Sequence, residues 1–177
     1  MTVIAAATDQ DAVHFHQIAM WLQLQSRESE AAKKYGFFLY VGSEEDYRET
    51  IRESPFCFLA RDGEQCTGFL TTVTPQSLAR MPAGPDRDLF ERNGEFPLLI
   101  EQIGVVPEWQ GRGIGRELLE ALVRHSGATW LMATVVHAPV RNERSIRFLL
   151  RNGWTLYREV PTRRRVWGFY EFRRALK

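Results

Sequence analysis

The chain has 177 residues, 44% hydrophobic and 25% charged, a balance that excludes a disordered chain and fits one folded domain over residues 1–177. No stretch reaches the roughly 18 apolar residues of a membrane helix, and the first apolar run lacks the basic flank of a signal peptide. We therefore expect a cytoplasmic protein without a membrane partner. The net charge of +1 is unevenly spread, because residues 1–55 carry −4, residues 56–140 carry −3 and residues 141–177 carry +8. The basic C-terminal part suggests an anionic ligand.

The N-terminal part contains three predicted elements. Its apolar run and two helical patterns predict a strand at Val3–Ala7, a helix at about Ala12–Leu24 and a helix from Ser43 to about Ser54. The apolar positions of the first helix are Val13, Ile18, Trp21 and Leu22. The second helix opens with a capping-box pattern. Residues 25–42, between the two helices, mix polar residues with aromatics and support no element prediction.

A hairpin and a long connection precede the strongest predicted strand. The β-rich runs Phe56–Arg61 and Cys66–Val73 flank a turn-type sequence that contains Gly63. The connection Pro75–Pro97 is long for a compact domain, and such loops are usually functional or mobile. The apolar run Leu98–Val106 then predicts a strand.

Helices and strands alternate in the C-terminal half. The periodicity predicts strands at Trp130–Val136, Trp154–Val160 and Val166–Phe172, a helix ending near Ser126 and a helix at Glu143–Asn152. A glycine follows each helix, as is common at helix ends. The order of elements predicts an α/β domain with a mixed sheet.

Three alternating glycines lie between the strand Leu98–Val106 and the helix that ends near Ser126: Gly111, Gly113 and Gly115. Residues without side chains leave the backbone N–H groups accessible at the positive end of the helix dipole, where they can bind a pyrophosphate. The neighbouring arginines at positions 112 and 116 add full positive charges. The third glycine comes one residue too early for a dinucleotide fingerprint, and the Gly-Lys pair of a P-loop is absent. The alternative is a turn that only tightens the strand–helix junction.

Several motifs resemble those of one known family. Gln110-Gly111-Arg112-Gly113-Ile114-Gly115 is similar to the Q/R-x-x-G-x-G/A motif of the GNAT superfamily of acetyl-CoA-dependent N-acetyltransferases. Asn142-x-x-Ser145-x-x-Phe148 followed by Gly153-Trp154 resembles the second cofactor motif of that family, and Ile103-Gly104-Val105 with Pro107 resembles its fourth strand. The resemblance covers nearly the whole chain. It implies a single-domain, GNAT-like mixed and mostly antiparallel sheet flanked by helices, with acetyl-CoA as the acetyl donor.

The same resemblance implies the residues that contact the cofactor. These are Ile103, Gly104, Val105, Gln110, Gly111, Arg112, Gly113, Ile114, Gly115, Arg116 and Asn142. In the resembled family the pantetheine arm pairs with backbone groups of the strand near Val105. Gly104 has a second interpretation, because a glycine inside a strand indicates a bulge or a close backbone approach. Asn142 also suits the N-cap of the helix that starts at Glu143, which would explain it without any cofactor contact.

Glu101 is the candidate general base. Strand alternation predicts that its side chain shares a face with Leu99, Ile103 and Val105. Such apolar neighbours would raise the pKa of its carboxyl toward general-base use. A free lysine-like amine has a pKa of about 10.4, so it must lose a proton before it can attack a thioester. The alternative is a glutamate that faces solvent at a strand end.

The sequence departs from the resembled family at Leu149, where that family commonly places a tyrosine as general acid. Leu149 is predicted to lie on the helix face of Ile146 and Leu150, in the core. A thiolate leaving group has an unperturbed pKa of about 8.5, so transfer without an acid is feasible. The possible substitutes, chosen only by their position at strand ends, are Tyr157, Tyr170 and His137, and each is also explained as a structural residue.

The sequence leaves the acceptor open as a small-molecule or peptide amine, and a homodimer is possible. Cys57 and Cys66 are expected to be reduced core residues, and neither cysteines nor histidines have the spacing of a metal site. Two alternatives to an enzyme remain. One is an acyl-CoA-binding module without transfer, which the leucine at position 149 motivates. The other, a nucleic-acid binder that uses the basic C-terminal part, is disfavoured because no recognition motif is present.

Overall fold

The computed structural model describes residues 1–24 and 29–174, and the chain in these ranges forms one seven-stranded sheet with helices on both faces. The strands are β1 (Thr2–Ala6), β2 (Phe58–Asp62), β3 (Gln65–Val73), β4 (Leu98–Val105), β5 (Trp130–Ala138), β6 (Thr155–Pro161) and β7 (Val166–Arg173). The helices are α1 (Ala12–Trp21), α2 (Glu30–Tyr35), α3 (Glu44–Glu53), α4 (Pro75–Ala79), α5 (Pro85–Asp88), α6 (Ile114–Ser126) and α7 (Glu143–Arg151). No helix within these ranges has the length and apolarity needed to cross a bilayer.

The sheet is mixed, with one parallel pair. Its strand order is β1-β2-β3-β4-β5-β7-β6, and every neighbouring pair except β4 and β5 is antiparallel. The parallel pairing ends at Ile100 and Ala133, although β4 continues to Val105 and β5 to Ala138. The two central strands therefore separate and leave a gap between their C-terminal ends. The α/β class and the mixed, mostly antiparallel sheet predicted from the sequence are confirmed.

A β-bulge in β4 changes which side chains share a face. Thr71 pairs with Gln102 and Thr72 pairs with Ile100, so Glu101 is the extra residue of the bulge. The bulge reverses the alternation within β4. Leu99 packs in a cluster with α4, whereas Ile103 packs against the core beneath α6 and α7. The predicted shared face of Leu99, Glu101, Ile103 and Val105 is therefore wrong.

Of the two interpretations of Gly104, a bulge or a close backbone approach, the structure bears out the second, and the bulge lies three residues earlier. Gly104 instead serves a close approach, since a Cβ atom there would lie 2.9 Å from Leu22 Cδ1 and 3.0 Å from Phe38 Cζ. Leu22 and Phe38 pack so closely on β4 that only a glycine fits at position 104.

Each face of the sheet has its own apolar core. Beneath α6 and α7, the core is built on leucines and isoleucines: Leu70, Leu98, Ile100, Ile114, Leu118, Leu122, Leu131, Ile146 and Leu149. On the opposite face, α1 and α3 pack through Phe15 and Tyr47 onto Phe69 of β3, with ring centroids 4.7 Å apart for Phe15 and 5.9 Å apart for Tyr47. Because both faces of the sheet pack against helices, the positions of β4 and β5 on either side of the gap are held by close packing.

Several local expectations differ from the structure. The first helix ends at Trp21 rather than near Leu24, and the Trp21 side chain is 66% exposed instead of buried. The segment 25–42 contains the short helix α2, whereas its residues 25–28 lie outside the described ranges. The connection Pro75–Pro97 forms α4 and α5 and packs its apolar side chains against the sheet. Short amphipathic turns of this kind give too few periods to be recognised from sequence.

Two adjacent leucines of α7 test the core assignment. Leu149 is buried, as expected, but Leu150 is 50% exposed, so its predicted place in the core is wrong. We expect Leu149→Ala to lower the free energy of unfolding by about 2–5 kcal/mol, because it leaves a cavity. Leu150→Ala, the matched control on the same helix, should cost less than about 1 kcal/mol. Urea denaturation of both variants measures the difference, and equal losses would contradict the packing described.

Candidate active site

A cavity of about 1100 Å³ lies beside the C-terminal end of β4, where β5 no longer pairs with it, and extends over the start of α6. Nine of the residues predicted to bind the cofactor line it: Ile103, Gly104, Val105, Gln110, Gly111, Gly113, Ile114, Gly115 and Arg116. The opposite wall comes from the end of α2 and from α7, including Tyr35 and Phe148. We call this space the β4–β5 cavity.

The strand β4 presents free backbone groups to this cavity. The amide of Val106 donates to the carbonyl of Thr67 at 2.9 Å, so position 106 faces β3. In an antiparallel pair the hydrogen-bonding direction alternates, which turns the backbone groups of Ile103 and Val105 away from β3 and toward the gap. Because β5 no longer pairs there, the N–H and C=O groups of Ile103 and the N–H group of Val105 can bind an extended, amide-containing ligand, whereas the Val105 carbonyl already accepts a hydrogen bond from Gln110 Nε2 at 3.0 Å.

The glycines at the start of α6 have different physical roles. Gly111 and Gly113 have φ angles of +80° and +92°, a backbone conformation that favours glycine. Gly115 is needed for packing, because its Cβ would lie 3.0 Å from the Phe148 ring. Gly113 is the N-cap of α6 and supplies no side chain to cap the helix, so the first N–H groups of this 13-residue helix remain available to an anion.

Positive side chains surround the β4–β5 cavity. Among the described residues, eight basic side chains line it: Lys33, Lys34, Arg116, Arg124, Arg144, Arg147, Arg151 and Arg174. Only two acidic residues do so, Glu120 and Glu143, and they pair with Arg116 at 2.7 Å and Arg147 at 3.6 Å. Half of the eight come from the basic C-terminal part of the chain, residues 141–177. The exposed turn 163–165 is not part of this wall.

A second cavity of about 220 Å³ lies against the preceding residues of β4 and has the opposite charge. We call it the acidic cavity. Its wall contains four carboxylates, Asp46, Glu49, Glu53 and Glu101, and no lysine or arginine of the described ranges. Gln102 also lines the acidic cavity, and the next residue of β4, Ile103, lines the β4–β5 cavity. Consecutive residues of one strand thus line cavities of opposite charge.

Glu101 lies where the two cavities approach each other. The Glu101 side chain is exposed to solvent on one side and surrounded by protein atoms elsewhere, and this partial desolvation raises the pKa of its carboxyl. The negative charge of Glu53 raises the pKa further, while the Thr71 hydroxyl, 3.5 Å from Oε2, acts in the opposite direction. A carboxylate with a raised pKa at a bulge is suited to accept a proton.

Two of the predicted cofactor residues do not line the β4–β5 cavity. Arg112 is exposed, and its guanidinium lies 4.5 Å from the centroid of the Trp109 ring. Asn142 is buried and caps α7 by accepting a hydrogen bond from the Ser145 amide at 3.2 Å. Its Nδ2 donates to the carbonyl of Phe37 at 2.9 Å, so both ends of the side-chain amide are already bonded within the protein.

The substitutes considered for the general acid lie away from both cavities. Tyr170 is buried beneath α7, and its hydroxyl is 2.9 Å from His137 Nε2. His137 also hydrogen bonds through Nδ1 to Glu159, and neither Tyr170 nor His137 lines a cavity. Neither cysteine lines a cavity, although the Cys57 thiol donates a hydrogen bond at 3.8 Å to the carbonyl of Thr50 in the wall of the acidic cavity, and burial raises the pKa of this thiol to about 11. The described residues include no group of three or more metal-ligating side chains.

Sequence reasoning did not assign the residues of α2, or the residues that follow it, to the cofactor cavity. Lys33, Lys34, Tyr35 and Phe37 line the β4–β5 cavity although no motif marks them. Gln102, beside the bulge, was not singled out either. Adjacent lysines followed by an aromatic cluster were the only available signal, and such a pattern is equally typical of a solvated helix end.

Comparisons with known proteins agree with this architecture. The family model described as Acetyltransferase (GNAT) family matches residues 15–154. Among solved structures, Arabidopsis thaliana Naa50 in complex with the bisubstrate analogue CoA-Ac-MVNAL is similar at 16% identity, with a TM-score of 0.65 and 97% of each chain covered. The Escherichia coli ribosomal-protein-S18-alanine N-acetyltransferase is similar at 16% identity and a TM-score of 0.65, with 100% of this chain and 96% of that chain covered.

A third solved structure adds a bound acetyl donor. Salmonella typhimurium yncA with its cofactor acetyl-CoA has 15% identity and a TM-score of 0.65, and the alignment covers 98% of this chain and 94% of that chain. No curated protein sequence matches the chain. At these identities the structures establish a shared fold.

The raised pKa of Glu101 has a consequence for stability. Because the folded state holds this proton more tightly than the unfolded state, ionised Glu101 destabilises the fold at pH 7, and protonation below about pH 4.3 removes the cost. We expect Glu101→Gln to be more stable than the wild type at pH 7, with the advantage disappearing near pH 4. Denaturant titrations over this range measure it. Glu64→Gln, on the exposed β2–β3 turn, is the control, and an equal gain in both variants would contradict the prediction.

Proposed function

The chain belongs to the acetyltransferase (GNAT) family, and we propose that it is an N-acetyltransferase that moves the acetyl group of acetyl-CoA directly to a primary amine. The observation that carries the proposal is the pair of oppositely charged cavities on consecutive residues of β4. An anionic donor fits the β4–β5 cavity and a protonated amine fits the acidic cavity. The similar structures with acetyl-CoA and with a CoA–peptide analogue support this assignment.

The β4–β5 cavity has the groups that coenzyme A requires. The diphosphate would bind at the N–H groups between Gly111 and Arg116, with the basic wall neutralising its charge. The amides of the pantetheine arm would pair with the free N–H and C=O groups of Ile103 and with the N–H group of Val105. This arrangement directs the thioester end along β4 toward the bulge.

Glu101 is the proposed general base. The acceptor enters the acidic cavity as a protonated amine, and the Glu101 carboxylate accepts one proton, directly or through water. The free amine then attacks the thioester carbon, so that a C–N bond forms, the C–S bond breaks and coenzyme A leaves as a thiolate. The thiolate takes up the second proton that the nitrogen loses, which gives the amide and free thiol. Holding both reactants at one strand replaces an encounter in solution. A cysteine nucleophile is not required, consistent with the raised pKa of the buried Cys57 thiol.

A second candidate function is an acyl-CoA-binding module that does not transfer the acyl group. The observation in its favour is Leu149, which is buried in the core and offers no hydroxyl to protonate the thiolate. The unperturbed thiol pKa of about 8.5 makes unassisted departure feasible, and for this reason we favour the enzyme. Incubation with acetyl-CoA and a panel of amines separates the two functions, because a module binds acetyl-CoA without releasing thiol on any acceptor.

The diphosphate site is tested with a charge at Gly113. We expect Gly113→Asp to weaken acetyl-CoA binding by at least about tenfold, because a carboxylate at the N-terminus of α6 repels the diphosphate. Gly63→Asp is the matched control, since Gly63 also has a positive φ and open space around it but lies in the β2–β3 turn. Isothermal titration calorimetry on both folded variants measures the affinity. Unchanged affinity in Gly113→Asp would count against the assignment.

The base is tested by turnover. We expect Glu101→Gln to reduce kcat by about 10²–10⁴-fold while acetyl-CoA affinity changes little, because only proton removal is lost. The raised pKa predicts that the wild-type rate rises with pH as Glu101 ionises, and that the variant lacks this rise. Thiol release across pH 5–9, with an amine found in the panel, measures both. A wild-type pH profile in Glu101→Gln would exclude Glu101 as the base.

A further inference from the structure

One short segment of backbone borders both cavities. Residues 35–40, which we call the strap, run from the end of α2 across the sheet toward α3. The first four of them line the β4–β5 cavity, and the last, Tyr40, lines the acidic cavity. The strap also packs directly on the cofactor strand, because Phe38 lies against the position where Gly104 has no side chain. A change at one end of the strap can therefore affect the other.

Three side-chain amides hold the strap by its carbonyl groups. Gln110 Nε2 donates to Tyr35 O at 3.0 Å, Asn142 Nδ2 donates to Phe37 O at 2.9 Å and Gln102 Nε2 donates to Tyr40 O at 2.8 Å. The three donors come from three different parts of the site. Gln110 precedes the glycines, Asn142 begins the second cofactor motif and Gln102 adjoins the candidate base.

The orientation of each amide is fixed by its other partners. Gln102 Oε1 accepts a hydrogen bond from the Tyr47 hydroxyl at 2.7 Å, and Asn142 Oδ1 accepts one from the Ser145 amide. Gln110 Nε2 donates at 3.0 Å to the carbonyl of Val105 as well as to the strap. A flipped amide would place oxygen against carbonyl oxygen at all three sites.

Gln110 differs from the other two in one respect. Its Oε1 atom is buried and accepts no hydrogen bond from any residue in the ranges 1–24 and 29–174. The residue lines the β4–β5 cavity, and the two carbonyls that bind Nε2 prevent Oε1 from turning away from its position. A buried acceptor without a donor costs free energy, and a ligand that supplies an N–H group would remove that cost.

We propose that Gln110 couples the two cavities: its Oε1 accepts a hydrogen bond from an amide N–H of the pantetheine arm, and its Nε2 thereby holds the strap in place for the acceptor. The inference rests on the proposed function, since it takes coenzyme A as the ligand of the β4–β5 cavity. Asn142 and Gln102 are positioning residues that transmit the same constraint along the strap. Donor binding orders Tyr40 at the acidic cavity before an amine arrives. Thermodynamic reciprocity requires that the acceptor likewise strengthen donor binding.

Hydrogen exchange with two ligands tests the coupling. Coenzyme A carries the pantetheine amides, whereas adenosine 3′,5′-bisphosphate carries phosphates but no pantetheine. We expect saturating coenzyme A to slow amide exchange in peptides covering residues 36–40 by about tenfold, within the usual range of site-to-site coupling. The bisphosphate should leave these peptides unchanged, although it binds the same basic wall. Calorimetry on the same samples confirms saturation by each ligand.

Variants separate coupling from simple packing. We expect Gln110→Met, which keeps the length of the side chain but not its amide, to lose the protection of residues 36–40 at saturating coenzyme A. Gln65→Met, at the exposed start of β3, should retain it. Asn142→Ser is a second variant, because serine still caps α7 but cannot reach Phe37 O. It should also reduce the protection of the strap, and it keeps the test valid if Gln110→Met fails to fold.

The outcomes are distinguishable. Protection by coenzyme A that disappears in Gln110→Met and persists in Gln65→Met supports the coupling. Binding of coenzyme A without protection of residues 36–40, or protection that survives in both Gln110→Met and Asn142→Ser, overturns it and leaves the proposed function intact. Absence of coenzyme A binding to the wild type overturns the proposed function together with the coupling.

Discussion

The separation of β4 from β5 is the constraint on which the rest of the site depends. A parallel pair that stops at Ile100 and Ala133 leaves backbone donors and acceptors without a partner strand in the middle of a buried sheet. Such groups are costly unless water or a ligand bonds them. The strands can diverge because each is held on its outer edge, β4 by β3 and β5 by β7, along nearly its full length. The pairings of β4 with β3 and of β5 with β7 therefore hold the two strands in place where they no longer pair with each other.

The bulge at Glu101 turns the same strand into a divider between two environments. Without the extra residue, strict alternation would place Glu101 on the same face as Ile103 and Val105. With it, the carboxyl faces the acidic cavity while the residues that follow line the β4–β5 cavity. One inserted residue therefore determines on which side of the sheet a proton can be accepted.

The sequence allowed the fold and the glycine-rich start of α6 to be predicted, because both depend on local patterns. Glycines before an apolar helix, an asparagine N-cap and alternating strands each act within a few residues. The bulge could not be placed, because it is defined by the pairing of Thr71 and Thr72 with a strand about 30 residues away. The hydrogen bond from Asn142 to Phe37 joins residues 105 positions apart in the chain, and the hydrogen bond from Gln110 to Tyr35 joins residues 75 positions apart. The hydrophobic periodicity of a sequence predicts helices and strands, but it does not predict which distant residues form hydrogen bonds with each other.

In the proposed reaction, the division of charge across β4 would let a chain with a net charge of +1 serve two charged reactants. A polyanionic donor and a cationic acceptor attract each other, so a single mixed pocket would favour their unproductive pairing and would neutralise its own side chains. Placing the basic side chains on the α6 and α7 side and the carboxylates beside α3 keeps each field unscreened by the other. The two reactants can then approach only at the strand between the cavities, where Gln102 and Ile103 adjoin. The separation of charge and the geometry of β4 therefore both favour contact between the two reactants near Gln102 and Ile103.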